Sequence, residues 1–286
     1  MTAPAPKNFV VRVATRGEIE LSVDWAGAEG WNPGLHDADC FHAADPTGFL
    51  LGLADGEPVA TVSVAKYGAD FAFLGFYIVK PDFRGLGLGL KTWQAGMASL
   101  AGRVVGLDGV VAQQDNYRKS GFELAWQNVR HEGVAGGGTA RDERIVFLST
   151  VQFATVQAYD QACFPADRKA FLQCWIRQPG STALGFVEGG QLKGYGMLRP
   201  CRAGFKIAPL FADSPQTAEA LFAALRSSAP EGAAIYLDTP APNSHAIELA
   251  RRHGMQPVFE TARMYTGRVP QVPMERLYGI TSFELG

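Results

Sequence analysis

The sequence predicts an α/β fold made of two tandem halves with the same order of elements. Phe73–Val79 reads as a buried strand, a short apolar run closed by Pro81-Asp82. After it Leu86, Leu90, Trp93, Met97 and Leu100 recur at helical spacing, so Arg84-Gly85-Leu86-Gly87-Leu88-Gly89 is a strand-to-helix turn. Beyond a glycine-rich stretch from Gly133, strands and helices recur in a similar order. A length of 286 residues corresponds to about two domains.

Taken in order, Phe9–Ala14 reads as a strand and Glu18–Trp25 as a helix. Trp31-Asn32-Pro33-Gly34 is a turn, and Asp37–Ala44 a short helix. Phe49–Leu53 and Pro58–Ala65 are strands joined through Asp55-Gly56, a hairpin signal. The strand ending at Lys80 and the helix after the glycine turn follow, then a strand at Val104–Leu107. Gln114–Ser120 is a helix stopped by Gly121, and Phe122–Arg130 is a strand.

The second half begins with helices at Val151–Cys163 and Ala166–Ile176. Ala183–Glu188 and Leu192–Arg199 form a hairpin around Gly189-Gly190, followed by a strand at Phe205–Phe211. Ser214-Pro215 supplies an N-cap and a proline at the first helical position, ahead of the apolar face Ala218, Leu221, Phe222 and Leu225. Ala234–Leu237 is a strand, Asn243 caps a helix that Gly254 ends, and Met255–Tyr265 is expected to finish the sheet of this half.

Composition narrows the function classes. Hydrophobic residues make up 47% and charged residues 19%, an ordinary globular balance. A net charge of -2 gives no electrostatic footprint for nucleic acid or an anionic membrane. No run approaches the ~18 apolar residues of a membrane span, and the first residues lack the apolar core of a secretory signal. A cytoplasmic location is the resulting expectation. Cys40, Cys163, Cys174 and Cys201 are far apart in sequence, without metal-ligand spacing, and are expected to be buried reduced thiols. No metal site is expected.

The glycine turn presents backbone N–H groups at the positive end of a helix, with no side chains to hold an anion away. It could serve only to pack a helix on a sheet, but the arginine, the glycines, the strand and the helix agree on a diphosphate cradle. A dinucleotide turn needs G-x-G-x-x-G, and the third position falls on Leu90 or Thr92 in the two available frames. A P-loop needs glycine where Leu90 stands, ahead of Lys91 and Thr92. What fits is Arg-x-x-Gly-x-Gly preceded by Val79-x-Pro81.

That pattern resembles the acyl-CoA motif of the GNAT superfamily of N-acyltransferases, and the element order resembles that family over Phe9–Glu132. The resemblance implies two tandem GNAT-like domains, each a mixed, mostly antiparallel sheet flanked by helices. Residues 1–132 would form the acetyl-CoA-binding catalytic domain, 133–144 a linker and 145–286 a second GNAT-like domain. It further implies that Arg84, Gly85, Leu86, Gly87, Leu88, Gly89 and Leu90 hold the coenzyme A pyrophosphate. Backbone at Tyr77, Ile78 and Val79 would hold the pantetheine arm and the thioester carbonyl. The second half has Ala212-Asp213-Ser214-Pro215 in place of the glycine turn. Proline removes a donor and Asp213 repels phosphate, so this half should not bind coenzyme A in the usual way.

Tyr117-Arg118-Lys119-Ser120-Gly121-Phe122 matches the family's Tyr-x-x-x-Gly-Phe motif, implying that Tyr117 protonates the leaving thiolate. A phenol of pKa about 10 suits a thiolate of comparable basicity. The matching position of the second half is Ala250, so chemistry belongs to the first. Asp108, after its strand, is the candidate general base, directly or through water; otherwise it is a loop cap. His36 and His42 have a suitable ordinary pKa, though lone histidines more often serve structure. Trp31 and Asn32 of the exposed turn, with His36, are candidates for acceptor binding, as is Asp238, which corresponds in position to Asp108.

The expected activity is acetyl-CoA-dependent N-acetylation of a small-molecule amine, by direct attack in a ternary complex, since no cysteine lies near the acyl-binding elements. A non-catalytic acyl-CoA sensor is the alternative. Tyr117 favours the enzyme.

Overall fold

The computed structural model describes residues 4–138 and 142–286, and its strands join in one 13-stranded sheet. The first half runs β1 (Phe9–Val13), α1 (Arg16–Ala28), α2 (Asp37–Ala44), β2 (Phe49–Ala54), β3 (Glu57–Tyr67) and β4 (Phe71–Val79). It continues with α3 (Leu88–Ala98), β5 (Val104–Val110), α4 (Gln114–Arg118) and β6 (Phe122–Val134). Thr15 and Glu18 form a capping box at the start of α1. Asp55 and Gly56 both take positive φ, 49° and 90°, at the tip of the β2–β3 hairpin, as their sequence predicts. Strands β1 to β4 are antiparallel neighbours, whereas β4 and β5 run parallel and pair only from Phe71↔Val104 to Leu74↔Leu107. Beyond Leu74 the two strands part.

The second half repeats this plan with β7 (Ile145–Phe147), α5 (Phe153–Cys163), α6 (Lys169–Trp175), β8 (Thr182–Glu188), β9 (Gln191–Pro200) and β10 (Phe205–Ala212). It closes with α7 (Pro215–Ser228), β11 (Ala234–Pro240), α8 (Ser244–Arg252), β12 (Gln256–Thr266) and β13 (Leu277–Gly279). Ser214 and Asn243 accept hydrogen bonds from the first turns of α7 and α8, as expected of caps. Again β10 and β11 run parallel and pair only from Phe205↔Ile235 to Ile207↔Leu237.

The expectation that β12 finishes the sheet of its own half is corrected by the strand order. The order is β1-β2-β3-β4-β5-β12-β6-β11-β10-β9-β8-β7. β12 lies between β5 and β6 of the first half, and β6 pairs with β11 of the second. Each half therefore lends the other a strand. β6 also continues as strand through Gly133 and Val134, opposite Ile235 and Ala234, into the stretch expected to be linker. The rest of that stretch falls partly outside the described residues.

The halves share a core as well as a sheet. Phe41, Phe49 and Phe76 of the first pack with Trp175 and Phe171 of the second, and the ring pairs lie 4.8–6.1 Å apart. The same α2–α6 contact brings Cys40 and Cys174 together, sulfur to sulfur at 2.6 Å, across a separation that hides them in the sequence. Among the described residues no helix is long and apolar enough to cross a membrane, and no cluster of His, Cys, Asp and Glu is placed to hold a metal ion.

Candidate active site

A cleft of about 600 Å³ opens where β4 and β5 part. Its β4 wall is bulged: Ser63 pairs with Gly75 and Thr61 with Ile78, so Phe76 and Tyr77 together face Val62. Phe76 has φ 46°, a left-handed conformation that is costly for an aromatic residue. Its buried ring, held among Phe41 and Phe49, keeps it there. A bulge turns backbone groups out of the ladder, here at Gly75–Val79, all of which line the cleft.

At the end of β4 comes the glycine turn. Gly85 and Gly87 have φ 80° and 74°, and Gly87 is the N-cap of α3. Gly89 serves a different need: a Cβ there would lie 2.7 Å from Val79 and 2.8 Å from the Tyr77 hydroxyl. The turn can thus sit flush against β4, with the unpaired N–H groups of the first helical turn facing outward. Arg84 and Gly85 line the cleft. The Arg84 guanidinium donates to the Val79 carbonyl at 2.9 Å and pairs with Glu29. Leu86 and Leu88 pack inward against Ala54 and Val59, while Leu90 is 57% exposed. Of the expected pyrophosphate residues, the leucines can contribute only backbone.

Tyr117 of α4 lines the same cleft, its ring stacked on Trp93 at 5.7 Å. Gly109 makes room for it, since a Cβ there would lie 2.2 Å from the ring. Burial, with a smaller contribution from Tyr77, pushes the phenol up to about 12, so it holds its proton at neutral pH.

Asp108 lines the cleft, but its side chain is wholly buried and both carboxylate oxygens are taken. The carboxylate accepts from Arg263 Nε and Nη2 at 2.7 and 2.6 Å and from Asn128 at 2.7 Å. Burial pushes this carboxyl up, and the guanidinium and the amide oppose the push. A group so fixed fastens β12 to β5, and the geometry argues against its expected role as base. Asp238 is likewise corrected. It is 1% exposed, pairs with Arg130 at 2.7 and 2.8 Å, and does not line the cleft.

Asn32 is the third departure: its amide is spent on the Ala203 backbone, donating and accepting at 2.9 Å. Trp31 does line the cleft, with its carbonyl accepting from Arg130 at 2.7 Å. His36 caps the start of α2 and His42 lies in its last turn; neither lines the cleft.

The last residues of the chain were not singled out in the sequence, yet they shape both clefts. In the second half β13 pairs with β10, and Ile280 donates to the Asp238 carbonyl at 2.9 Å, so the gap between β10 and β11 is filled. The chain then crosses to the first half, where Phe283 and Glu284 line the open cleft. Tyr67 donates to the Leu285 carbonyl at 3.1 Å, and Arg168 to that of Gly286 at 3.0 Å. The run of buried residues from Thr281 to Leu285 has no helical or strand period, so no pattern marks it.

A bulged, parted parallel pair ending in a glycine turn is the signature of an acyl-CoA fold; the second half repeats the parted pair without the glycine turn. Models of the GNAT acetyltransferase domain match residues 18–122 and 156–279. A holothin acyltransferase from Pseudoalteromonas sp. (strain SANK 73390) is 31% identical over 98% of this chain and 95% of the relative. The chain belongs to the GNAT family of acyltransferases. Two solved structures share the fold: a proposed acetyltransferase from Pyrococcus horikoshii at TM-score 0.83 and 22% identity, covering 100% of this chain and 99% of that one, and a tandem GNAT protein of the clavulanic acid biosynthesis pathway at TM-score 0.64 and 12% identity, covering 92% of this chain and 100% of that one.

Proposed function

We propose that the chain transfers an acetyl group from acetyl-CoA directly to the amine of a small molecule. One observation carries this reading: the glycine turn, the parted strands and Tyr117 converge on a single cleft. The diphosphate would lie on the N–H groups at the start of α3, where the positive helix end and the left-handed glycines favour it. The pantetheine arm would run along Gly75–Val79, pairing with backbone that β5 leaves free beyond Leu74. The thioester carbonyl then meets the bulge at Phe76 and Tyr77, where backbone donors stabilise developing negative charge. Amine attack forms the C–N bond as the amine gives up a proton to a base or to water, the C–S bond breaks, and Tyr117 gives its proton to the departing sulfur.

Calorimetric titration with acetyl-CoA tests the donor half, using the natural chain and Gly87→Glu, whose carboxylate would face the diphosphate. Binding that this substitution abolishes supports the assignment. An amine panel that includes holothin, suggested by the Pseudoalteromonas relative, then tests transfer. Binding without turnover on any amine would favour an acyl-CoA sensor.

A further inference from the structure

Three carboxylate residues line the cleft: Glu29, Asp108 and Glu284. Glu29 is paired with Arg84, and Asp108 with Arg263 and Asn128. Glu284 differs. It is 3% exposed, and its Oε1 has no hydrogen-bond partner among the described residues. A carboxylate oxygen is costly to bury unpaired, and where a fold keeps one at a cleft, a ligand is the natural partner.

Its placement is held tightly. Gly75 is the first β4 residue beyond the β4–β5 ladder, and a Cβ there would lie 2.2 Å from the Glu284 carbonyl oxygen. Ser282 Oγ accepts from the Glu284 and Leu285 N–H groups at 3.1 and 2.9 Å. Glu284 therefore sits where the cleft begins, beside the bulge. Trp31, Phe259 and Phe283 line the cleft with it and give it apolar, flat walls.

We propose that Glu284 takes the proton from the acceptor amine, and that the acceptor is a compact amine on a flat apolar body. This rests on the acyl-transfer reading above. The amine nitrogen bonds to the thioester carbon while its proton passes to Glu284, and the C–S bond breaks as Tyr117 protonates the sulfur. Solvent exchange afterwards removes the proton from Glu284 and restores that of Tyr117, so the products are the amide and the free thiol.

The charges around Glu284 fit a base rather than a permanent ion pair. Burial pushes its carboxyl up, Lys206 on β10 draws it down, Asp37 on α2 adds to the upward push, and Arg130 on β6 and Arg199 on β9 oppose it; the upward push prevails. Those cations are already engaged: Arg130 by Asp238, Arg199 by Asp37, and Lys206 by the Asn32 carbonyl at 3.1 Å. A less acidic carboxyl is, once ionised, a stronger proton acceptor.

The test is steady-state transfer from acetyl-CoA to a panel of small aryl and alkyl amines, with Glu284→Gln and Glu284→Asp beside the natural chain. Acetyl-CoA affinity is measured separately by calorimetry. The proposal expects kcat for Glu284→Gln to fall about 100-fold or more, with acetyl-CoA affinity unchanged and the acidic limb of the pH–rate profile gone. Glu284→Asp should restore part of the rate and the limb. Flat aryl-bearing amines should outpace alkyl amines of equal size. Glutamine keeps the shape without the charge, and an unchanged thermal midpoint checks that the variant folds. A Glu284→Gln rate within twofold of the natural chain, with its acidic limb intact, would overturn the proposal while leaving the acyl-transfer reading standing. No transfer to any amine by the natural chain would overturn both.

Discussion

Asp108 on β5 lies directly opposite Arg263 on β12, and their bidentate ion pair ties a strand of the first half to a strand lent by the second. Asp238 on β11 and Arg130 on β6 repeat the arrangement in the other direction. The two exchanged strands are thus each locked by a buried carboxylate–guanidinium pair. Removing one partner leaves an uncompensated buried charge, which costs roughly 3–5 kcal/mol. Arg263→Ala should lower unfolding stability by about that amount in urea denaturation, and an effect below about 1 kcal/mol would refute the lock. The double variant Asp108→Asn with Arg263→Met should recover much of the loss. If it also keeps the natural pH–rate profile, Asp108 is not the base.

The two glycines of the turn should fail differently. Gly87 has open space around it and a φ of 74°, so Gly87→Ala meets only backbone strain of about 1 kcal/mol. Gly89 has ordinary φ but no room, with Val79 and Tyr77 under 3 Å from a Cβ. Gly89→Ala must displace the Val79 and Tyr77 side chains or shift α3 away from them, at a typical overpacking cost of about 1–3 kcal/mol. Gly89→Ala should weaken acetyl-CoA binding at least tenfold, against a few-fold at most for Gly87→Ala. Calorimetry that finds the reverse order would undo this division of labour.

Because β13 and Ile280 fill the gap between β10 and β11, one molecule of acetyl-CoA should bind per chain. A stoichiometry of two in calorimetric titration would mean that the second cleft opens.

Tyr117→Phe should reduce kcat by about 10²–10⁴-fold while leaving acetyl-CoA affinity unchanged. The pH dependence follows from the raised phenol, at about 12 in the fold against about 10 in an unfolded chain. The fold holds this proton more tightly, so its contribution to stability is full below about pH 10 and is lost as pH rises through 12. Comparing thermal midpoints of the natural chain and Tyr117→Phe between pH 9 and 12 should show the gap narrowing upward. A constant gap would show that the phenol is not buried as described.

The glycine turn was legible in sequence because a turn that presents backbone N–H groups at a helix start leaves a spacing of glycines at a strand end. Tyr117 was legible through its motif, and the filled second cleft was half legible, through the missing glycines at Ala212–Pro215. The exchange of β6 and β12 was not. Alternation marks a segment as strand but carries no record of its neighbour, and both strands would pair acceptably at home. Asp108 and Asp238 were matched to each other correctly, but their arginine partners lie 155 and 108 residues away. Asn32 and Glu284 show the same limit from opposite sides. A polar residue in an exposed-looking turn was consumed by backbone, while a carboxylate in an aperiodic tail arrived at the cleft.

Gly75 offers a way to move that tail without touching its carboxylate. The Glu284 carbonyl occupies the space a side chain at position 75 would need, and backbone cannot swing aside as a flexible side chain can. Gly75→Ala should therefore displace Ser282–Leu285 from the cleft edge and break the Ser282 bonds to the Glu284 and Leu285 N–H groups. Hydrogen exchange reads this directly, because both amides are buried and bonded in the natural chain and should exchange at least tenfold faster in the variant. Helix α3 packs against Val62, Val64 and Leu74 rather than against the tail, so amides of Thr92–Gly96 should keep their protection. If the tail amides exchange at the natural rate in Gly75→Ala, the tail is not seated against β4, and the role given to Glu284 loses its geometric footing.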